Sequence, residues 1–483
     1  MTDASGKRKR ESTDCPYLDT INRSLLDFDL EPSCSVSLES GPHIYSCCVC
    51  GKFFRGRGPS TPLYVHAVEE SHYVVVHLQT TRFYCLPDDY EIIDSSLNDI
   101  AHALNPTYTE SIIQNIDTNT TLSRDLFGRR YLPGFVGLNN LNKTDCVNAI
   151  VQALAHVPPL RDFFLRQRER QLPASSSSKA SLPTIRQALQ VTQAFGALIR
   201  KIWSHQRFKH HVDPHMLVQA ISKASNKKFG AGQQAEVGEM LTFILHQLHL
   251  GCGGKIKKKA NKSSIVQQTF QGKLRVTTRR KKAMKVIETD ITHDDRAGSG
   301  DEDESMKQED AKEQEEIEET TMESHFLQLT LDIPEKPLFR DEDGGLVIPQ
   351  EPFVNVLKKF DGMTFSEAVH KGMAERKKYE LLELPNYLIL HLARFNNNRY
   401  SREKNPTIVA FPAKNLDLSS YVHGGNVKVP SEEEVRNMSV STMEQRNIFL
   451  VEYIASHNTC LFTLSTTIPD QRIEVSSPKT RPK

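Results

Sequence analysis

The sequence predicts an α+β chain, a small module built around a Cys/His cluster followed by a larger domain of helices and then strands. Three observations carry this reading. Cys47-x-x-Cys50 is followed by His66 and His72. Apolar residues recur at helical spacing in Val147, Ile150, Val151 and Leu154, and again in Leu241, Ile244, Leu245 and Leu248. Later segments, 326–334 and 384–395, carry the alternating or continuous apolar runs of strands.

At 483 residues the chain is long enough for about two to four domains. Its 61 basic and 60 acidic side chains nearly cancel, so no global field draws it to nucleic acid or membranes. No apolar run approaches the ~18 residues of a membrane span, and the N-terminus lacks a signal-peptide core. The expectation is a soluble, intracellular protein. Nine cysteines, an odd number crowded towards the N-terminus, suit metal ligation and buried thiols better than a secreted disulfide framework.

In chain order, residues 1–14 read as a disordered basic tail, and Gly6-Lys7-Arg8-Lys9-Arg10 is a cluster of the nuclear-localisation kind. From Cys15 the composition becomes globular, and residues 15–110 are expected to form the small module. A Cys-x-x-Cys pair presents two thiolates from one tight turn. With His66 and His72 it completes a tetrahedral set suited to zinc, which would substitute for missing core. Cys48, between the two ligands, should point away. Segments 73–78 and 82–86 read as strands of this module. Residues 88–130 read as an ordered connector with a helical stretch at 94–104.

Cys15-Pro16-Tyr17-Leu18-Asp19-Thr20-Ile21-Asn22-Arg23, the Cys/His set, Gly56-Arg57-Gly58 and Phe83-Tyr84-Cys85-Leu86-Pro87-Asp88 resemble the ubiquitin-protease-type zinc finger of the Sad1 family of splicing factors. In active relatives such a finger can hold the free C-terminal tail of ubiquitin. This copy departs from the tail-binding pattern at Lys52 and Leu86, which favours a structural or protein-docking finger over ubiquitin binding.

The second domain is expected over 130–470. Gly137-Leu138-Asn139-Asn140-Leu141-Asn142-Lys143-Thr144-Asp145-Cys146-Val147-Asn148 opens a buried helix, with Thr144 or Asp145 as its N-cap. This stretch resembles the cysteine box of the ubiquitin-specific proteases, Gly-Leu-x-Asn-Leu-Gly-Asn-Thr-Cys-Tyr-Met-Asn. The resemblance implies a papain-like fold and places the nucleophile at Asp145 and the oxyanion-stabilising asparagine at Asn140. A carboxylate is a weak nucleophile towards an amide, and at a helix start it mainly stabilises the helix, by about 0.3–1 kcal/mol. Cys146 lies roughly 100° further round the helix and should be a packing thiol. A second box, around Gln-Gln-Asp-Ala-x-Glu-Phe-Leu in the family, reads Gln233-Gln234-Ala235-Glu236-Val237-Gly238-Glu239-Met240-Leu241, with Ala235 in place of the acid. Between the boxes, 184–205 reads as a long amphipathic helix carrying Trp203, preceded by a serine loop at 175–178.

Basic blocks at 255–262 and 279–282 precede an acidic stretch, in which 294–323 hold fourteen acidic against three basic residues. Such runs rarely fold, so a disordered charged insertion is expected near 290–324. The basic blocks offer a second reading, contact with RNA or acidic protein surfaces. Order returns with a strand at 326–334, a buried central strand at 384–395 and another at 403–412. Lys404-Asn405-Pro406-Thr407-Ile408-Val409 is close to the Sad1 branch. His391 reads as a strand-face or partner-contacting residue. Phe449-Leu450-Val451-Glu452-Tyr453-Ile454-Ala455-Ser456-His457 resembles the strand before the family's catalytic-histidine box, but neither Gly-His-Tyr nor a later tryptophan follows. The fold is therefore expected to lack its usual C-terminal strands and to end in a disordered tail, 471–483.

The resemblance implies a non-catalytic, ubiquitin-protease-like scaffold in pre-mRNA splicing. It would be nuclear, zinc-bearing and associated with proteins of the spliceosomal tri-snRNP. The competing readings are a deubiquitinating cysteine protease using Cys146 and a ubiquitin-binding module.

Overall fold

The structure is a computed structural model that describes residues 11–12, 14–166, 183–254, 264–281, 317–334, 339–340, 346–370, 373–397, 402–411, 418, 421–422 and 447–451. The N-terminal module is a six-stranded sheet with the order β1-β6-β5-β4-β2-β3. Its strands are β1 (Glu11–Ser12), β2 (Ile44–Cys47), β3 (Phe53–Arg55), β4 (Val74–His77), β5 (Phe83–Cys85) and β6 (Tyr90–Ile92). Strands β4 and β5 fall where the apolar alternation places them. Strand β1 does not fit the expected disordered tail, because residues 11 and 12 pair in parallel with Glu91 and Ile92. A sheet edge supplies backbone partners whatever the side-chain polarity.

Helix α1 (Pro62–Glu69) opens on a proline, whose missing N–H costs nothing in a first turn. It packs Leu63 and Ala67 on one face of the sheet with Tyr45, Cys47, Phe54 and Val75. The other face buries Cys48, Val74, Val76 and Phe83 against Ile100 of α2 (Asn98–Leu104).

A short α3 (Glu110–Gln114) and a hairpin of β7 (Ser123–Arg124) and β8 (Arg130–Tyr131) lead into six helices. These are α4 (Asp145–Ala155), α5 (Pro158–Arg166), α6 (Pro183–Ile202), α7 (His215–Ala224), α8 (Val237–Gly251) and α9 (Ile265–Phe270). Their apolar stripes meet in one core holding Ile150, Leu154, Phe164, Phe195, Ile199, Leu241, Ile244 and Leu248.

Strands β9 (Gly272–Lys281), β10 (Ile317–Phe326), β15 (Asp361–His370) and β16 (Met373–Glu383) make an antiparallel sheet in the order β10-β9-β16-β15. The expected charged disorder near 290–324 is thus overturned for its last residues, 317–324. In the ladder Glu318 and Glu319 stand opposite Arg280 and Arg279, and Arg279 Nε bonds Glu319 at 2.9 Å. Opposite charges at cross-strand positions remove the repulsion that argued for disorder. Residues 282–316, and with them most of the acidic stretch, lie outside the described residues, as do 175–178 and 255–262.

A second sheet takes β11 (Leu329–Asp332), β17 (Tyr387–Ala393) and β21 (Asn447–Val451), with β17 central and parallel to both neighbours. Its continuous apolar run follows from burial on two sides. Tyr387 and Ile389 enter the helical core, while Leu388, Leu390 and Leu392 enter a separate cluster with Leu331, Phe353 and Val409. The single strand expected over 326–334 is two, because the chain changes sheets at Leu327-Gln328. The strand expected over 403–412 is also two, β19 (Arg402–Lys404) and β20 (Ile408–Ala410). Between them Asn405 leaves the ladder, its Nδ2 donating to the carbonyls of Ile333 and Pro334, and Pro406 has no N–H to offer. Strand β19 pairs with β18 (Phe395–Asn397) and β20 with β14 (Gln350–Pro352). The order is completed by a ribbon of β12 (Phe339–Arg340) and β13 (Leu346–Val347) and by helix α10 (Phe353–Leu357). Residues beyond 451, where the missing strands and tail were expected, lie outside the described residues.

The two domains are clasped by half-buried charge. Lys201, at the end of α6, donates to the Phe28 carbonyl and to Asp29, both at 2.7 Å, while Lys209 pairs with Asp27. Phe208 packs into the core of the N-terminal module. Burial pushes the Asp29 carboxyl up, but Lys201 and the Asp213 amide outweigh it and hold it below the usual carboxylate range.

Candidate metal centre and interdomain cleft

The turn after β2 bends so that Cys47 and Cys50 face the same point. Gly51 N–H bonds the Cys47 carbonyl at 2.9 Å with φ at +75°, and a Cβ at residue 51 would lie 2.1 Å from the Leu25 carbonyl oxygen. Helix α1 brings His66 across, stacked on Phe54 with ring centres 4.2 Å apart, and the following turn brings His72. One ligand atom from each of the four residues lies within 4.8 Å of all the others. Cys50 Sγ is 3.4 Å from His66 Nε2, and His72 Nδ1 is 3.2 Å from the same nitrogen. A tetrahedral zinc with bonds of about 2.0–2.3 Å requires edges of roughly 3.3–3.8 Å, so the donor set and its spacing fit that ion. The hydrogen bond from Cys47, helped by the Lys52 amide and His72, lowers the Cys50 thiol well below its ordinary value, while the same bond raises Cys47. Cys50 is thus disposed to ligate as thiolate. Cys48 is fully buried on the opposite face of the sheet, as its place between the ligands implies.

The sequence-predicted catalytic box forms the entry to α4. Asn142 and Lys143 adopt φ of +75° and +55°, a left-handed turn that asparagine tolerates better than most residues. Thr144 is the N-cap residue, but its hydroxyl does not cap. It accepts from the Leu141 amide at 2.9 Å and donates to Asn140 Oδ1. Asn140 Oδ1 also accepts from the Thr144 amide at 3.0 Å, so its carboxamide oxygen braces the turn. Asn148 Nδ2 donates to the Asn139 carbonyl at 2.9 Å and ties the helix back to the box. Asp145 is the first residue of α4 and half-buried, where a negative charge favours the helix dipole. Cys146, the next residue, is 3 % exposed and lies in the helical core.

In the second box Ala235 is followed by Glu236, the N-cap of α8. Its carboxylate accepts from the amides of Gly238 at 2.9 Å and Glu239 at 2.7 Å, and from His391 Nε2 on β17 at 3.0 Å. Burial pushes this carboxyl up, but the bond from His391 and the two amides prevail and hold it at about 2. Gly238 permits the approach, since a Cβ there would meet His391 Cε1 at 2.8 Å. His391 is therefore an internal partner of α8. An acidic residue just before the apolar run from Val237 was the available helix-start signal. Beside this pair lies an open groove of about 740 Å³, lined by Phe229, Phe243, His246, Gln328 and Phe395 among others.

Comparisons with known proteins accord with both domains. Residues 136–442 match the family described as ubiquitin carboxyl-terminal hydrolase, and residues 34–97 match the zinc finger of ubiquitin hydrolases and other proteins. The chain is 44% identical to human ubiquitin carboxyl-terminal hydrolase 39 over 415 residues, 86% of this chain and 68% of the relative. It is 38% identical to a fission-yeast protein named as the probable mRNA-splicing protein ubp10, over 84% of this chain and 73% of that one. It is 26% identical to the budding-yeast pre-mRNA-splicing factor SAD1, over 85% and 79%. Among solved structures, an essential yeast splicing factor superposes with a TM-score of 0.59 over 82% of each chain at 24% identity, a likeness of fold. With the hydrolase match spanning most of the larger domain and a relative at 44% identity, the chain belongs to the ubiquitin carboxyl-terminal hydrolase family.

Proposed function

We propose that this protein is a non-catalytic scaffold in pre-mRNA splicing, acting in the nucleus on proteins of the spliceosomal tri-snRNP. The observation that carries the loss of catalysis is the start of α4. Position 145 bears a carboxylate, and the neighbouring thiol, Cys146, is sealed in the core at 3 % exposure. A core thiol cannot reach a substrate carbonyl without unfolding the helix that holds it. The splicing role is supported by the relatives named as splicing proteins, which align along more than four-fifths of this chain.

In this reading the two domains, 15–110 and 130–470, are docking bodies. Cys47, Cys50, His66 and His72 would hold one zinc ion, which supplies a structural cross-link in a module with little core of its own. The finger is read as a structural or protein-docking element. Leu86 is wholly buried, and the face of Tyr84 is covered by Arg57 at 3.8 Å, itself paired with Asp89. The test has two arms. The purified chain is treated with ubiquitin bearing a C-terminal electrophile, and the tagged chain is recovered from nuclear extract. The expected results are no adduct and co-purification of tri-snRNP proteins. An adduct lost in Cys146→Ala, or recovery without splicing proteins, would overturn the proposal.

A further inference from the structure

The hairpin of β7 and β8 projects from the larger domain ahead of the cysteine-box helix, and nothing in the zinc or cleft chemistry uses it. Its turn is held rigid. The buried Asp125 accepts from the amides of Phe127 at 3.0 Å and Arg129 at 2.8 Å, while the Asp125 and Gly128 amides close the loop. Gly128 takes a φ of +78°, which the turn requires. This order is spent on presenting two apolar side chains to solvent at the tip, Leu126 at 42 % and Phe127 at 65 % exposure, with Leu122 at 53 % at the base.

Around them stand Arg124, Arg129 and Arg130, all exposed. Arg124 and Arg130 face each other across the ladder, an arrangement that costs stability in a free hairpin. Among the described residues none of the three has a carboxylate partner. Arg124 donates to the Gly128 carbonyl, and Arg129 to His210 Nδ1 at 3.0 Å. Three guanidiniums without a carboxylate partner among the described residues, framing an exposed phenylalanine on a hydrogen-bonded turn, have the arginine-and-aromatic composition enriched at protein interfaces, and the exposed leucines extend the apolar face.

We propose that this hairpin is a docking site for an acidic protein segment that carries leucine or phenylalanine among its carboxylates. The carboxylates would pair with Arg124, Arg129 and Arg130, and the apolar side chains would cover Leu126 and Phe127. The aliphatic members favour protein over RNA, since arginines alone would serve a phosphate backbone. This site is independent of the splicing assignment and of the zinc centre.

The test uses the full chain and three labelled probes read by fluorescence anisotropy at two salt concentrations. They are a 20-residue peptide of Glu, Asp, Leu and Phe, the same peptide with Leu and Phe changed to Ser, and a 20-nucleotide single-stranded RNA. The first probe should bind, and both Arg129→Glu and Phe127→Ser should weaken it by about tenfold or more. The serine peptide and the RNA should show no dependence on Phe127. Zinc content and tryptophan fluorescence of both variants should match the parent, which separates lost docking from lost folding. Binding of RNA that depends on the arginines and not on Phe127, equal binding of the two peptides, or no response to either variant would overturn the proposal. A parent that binds the first probe only after deletion of residues 294–316 would also overturn it, by showing that the chain's own acidic stretch is the occupant.

Discussion

Replacing Glu236 by glutamine keeps the shape of the α8 cap and removes its charge. The carboxylate serves two amides and His391 at once, whereas a glutamine oxygen is neutral and its NH2 group faces a donor. A carboxyl held at about 2, against an ordinary value of 4.5, corresponds to roughly 3 kcal/mol of preference for the charged form. The side chain is 35 % exposed, so solvent screening reduces this to about 1–2 kcal/mol of stability at neutral pH. Because the folded-state pKa is depressed, this contribution is fully present above about 4.5 and is lost as pH falls towards about 2. The assay is urea unfolding followed by fluorescence of Trp203. It is the only tryptophan and sits in the helical core, with its Nε1 donating to the Ala155 carbonyl at 3.0 Å. Glu236→Gln should lower the midpoint by about 0.3–0.7 M at pH 7, and the gap from the parent should narrow steadily below pH 4.5. An unchanged midpoint at pH 7, or a gap that widens in acid, would refute the assignment of Glu236 as a charged cap.

Three further outcomes follow from the geometry. Cys50→Ser should reduce bound zinc from about one equivalent to none and unfold the N-terminal module, whereas Cys48→Ala should keep the metal, as elemental analysis and circular dichroism would report. Gly134→Ala should cost about 2–4 kcal/mol, since φ there is +91° and the new Cβ would lie 2.6 Å from the Trp203 ring, whose emission should change with it. Lys201→Met leaves the half-buried Asp29 without its ammonium partner and should cost about 1–3 kcal/mol, seen as earlier proteolytic cutting between the domains. The Asp29 contribution runs in the same sense as that of Glu236, present above the ordinary carboxylate value and lost as pH falls through the lowered one.

Short-range chemistry was legible in the sequence. Two thiols on a tight turn and two histidines nearby predict a metal site, and folding brings those four residues within 4.8 Å. Helical periodicity located α4, α6 and α8, and a continuous apolar run located β17, because burial writes itself into the pattern wherever an element faces a core. Sequence also placed Asp145 at a helix start and Cys146 on its buried side, the two facts on which the catalytic question turns.

What only the tertiary structure decided depends on partners far apart in the chain. Glu236 and His391 are separated by more than 150 residues, and no local pattern announces their pairing. Glu318 and Glu319 look like disorder until strand pairing sets Arg280 and Arg279 against them. The clasp of Lys201 on Asp29 has no motif at all. A local pattern records which face of an element is buried, whereas the neutralisation of a charge depends on which distant group the fold sets beside it. Coulomb energy falls with distance in space and takes no account of separation along the chain.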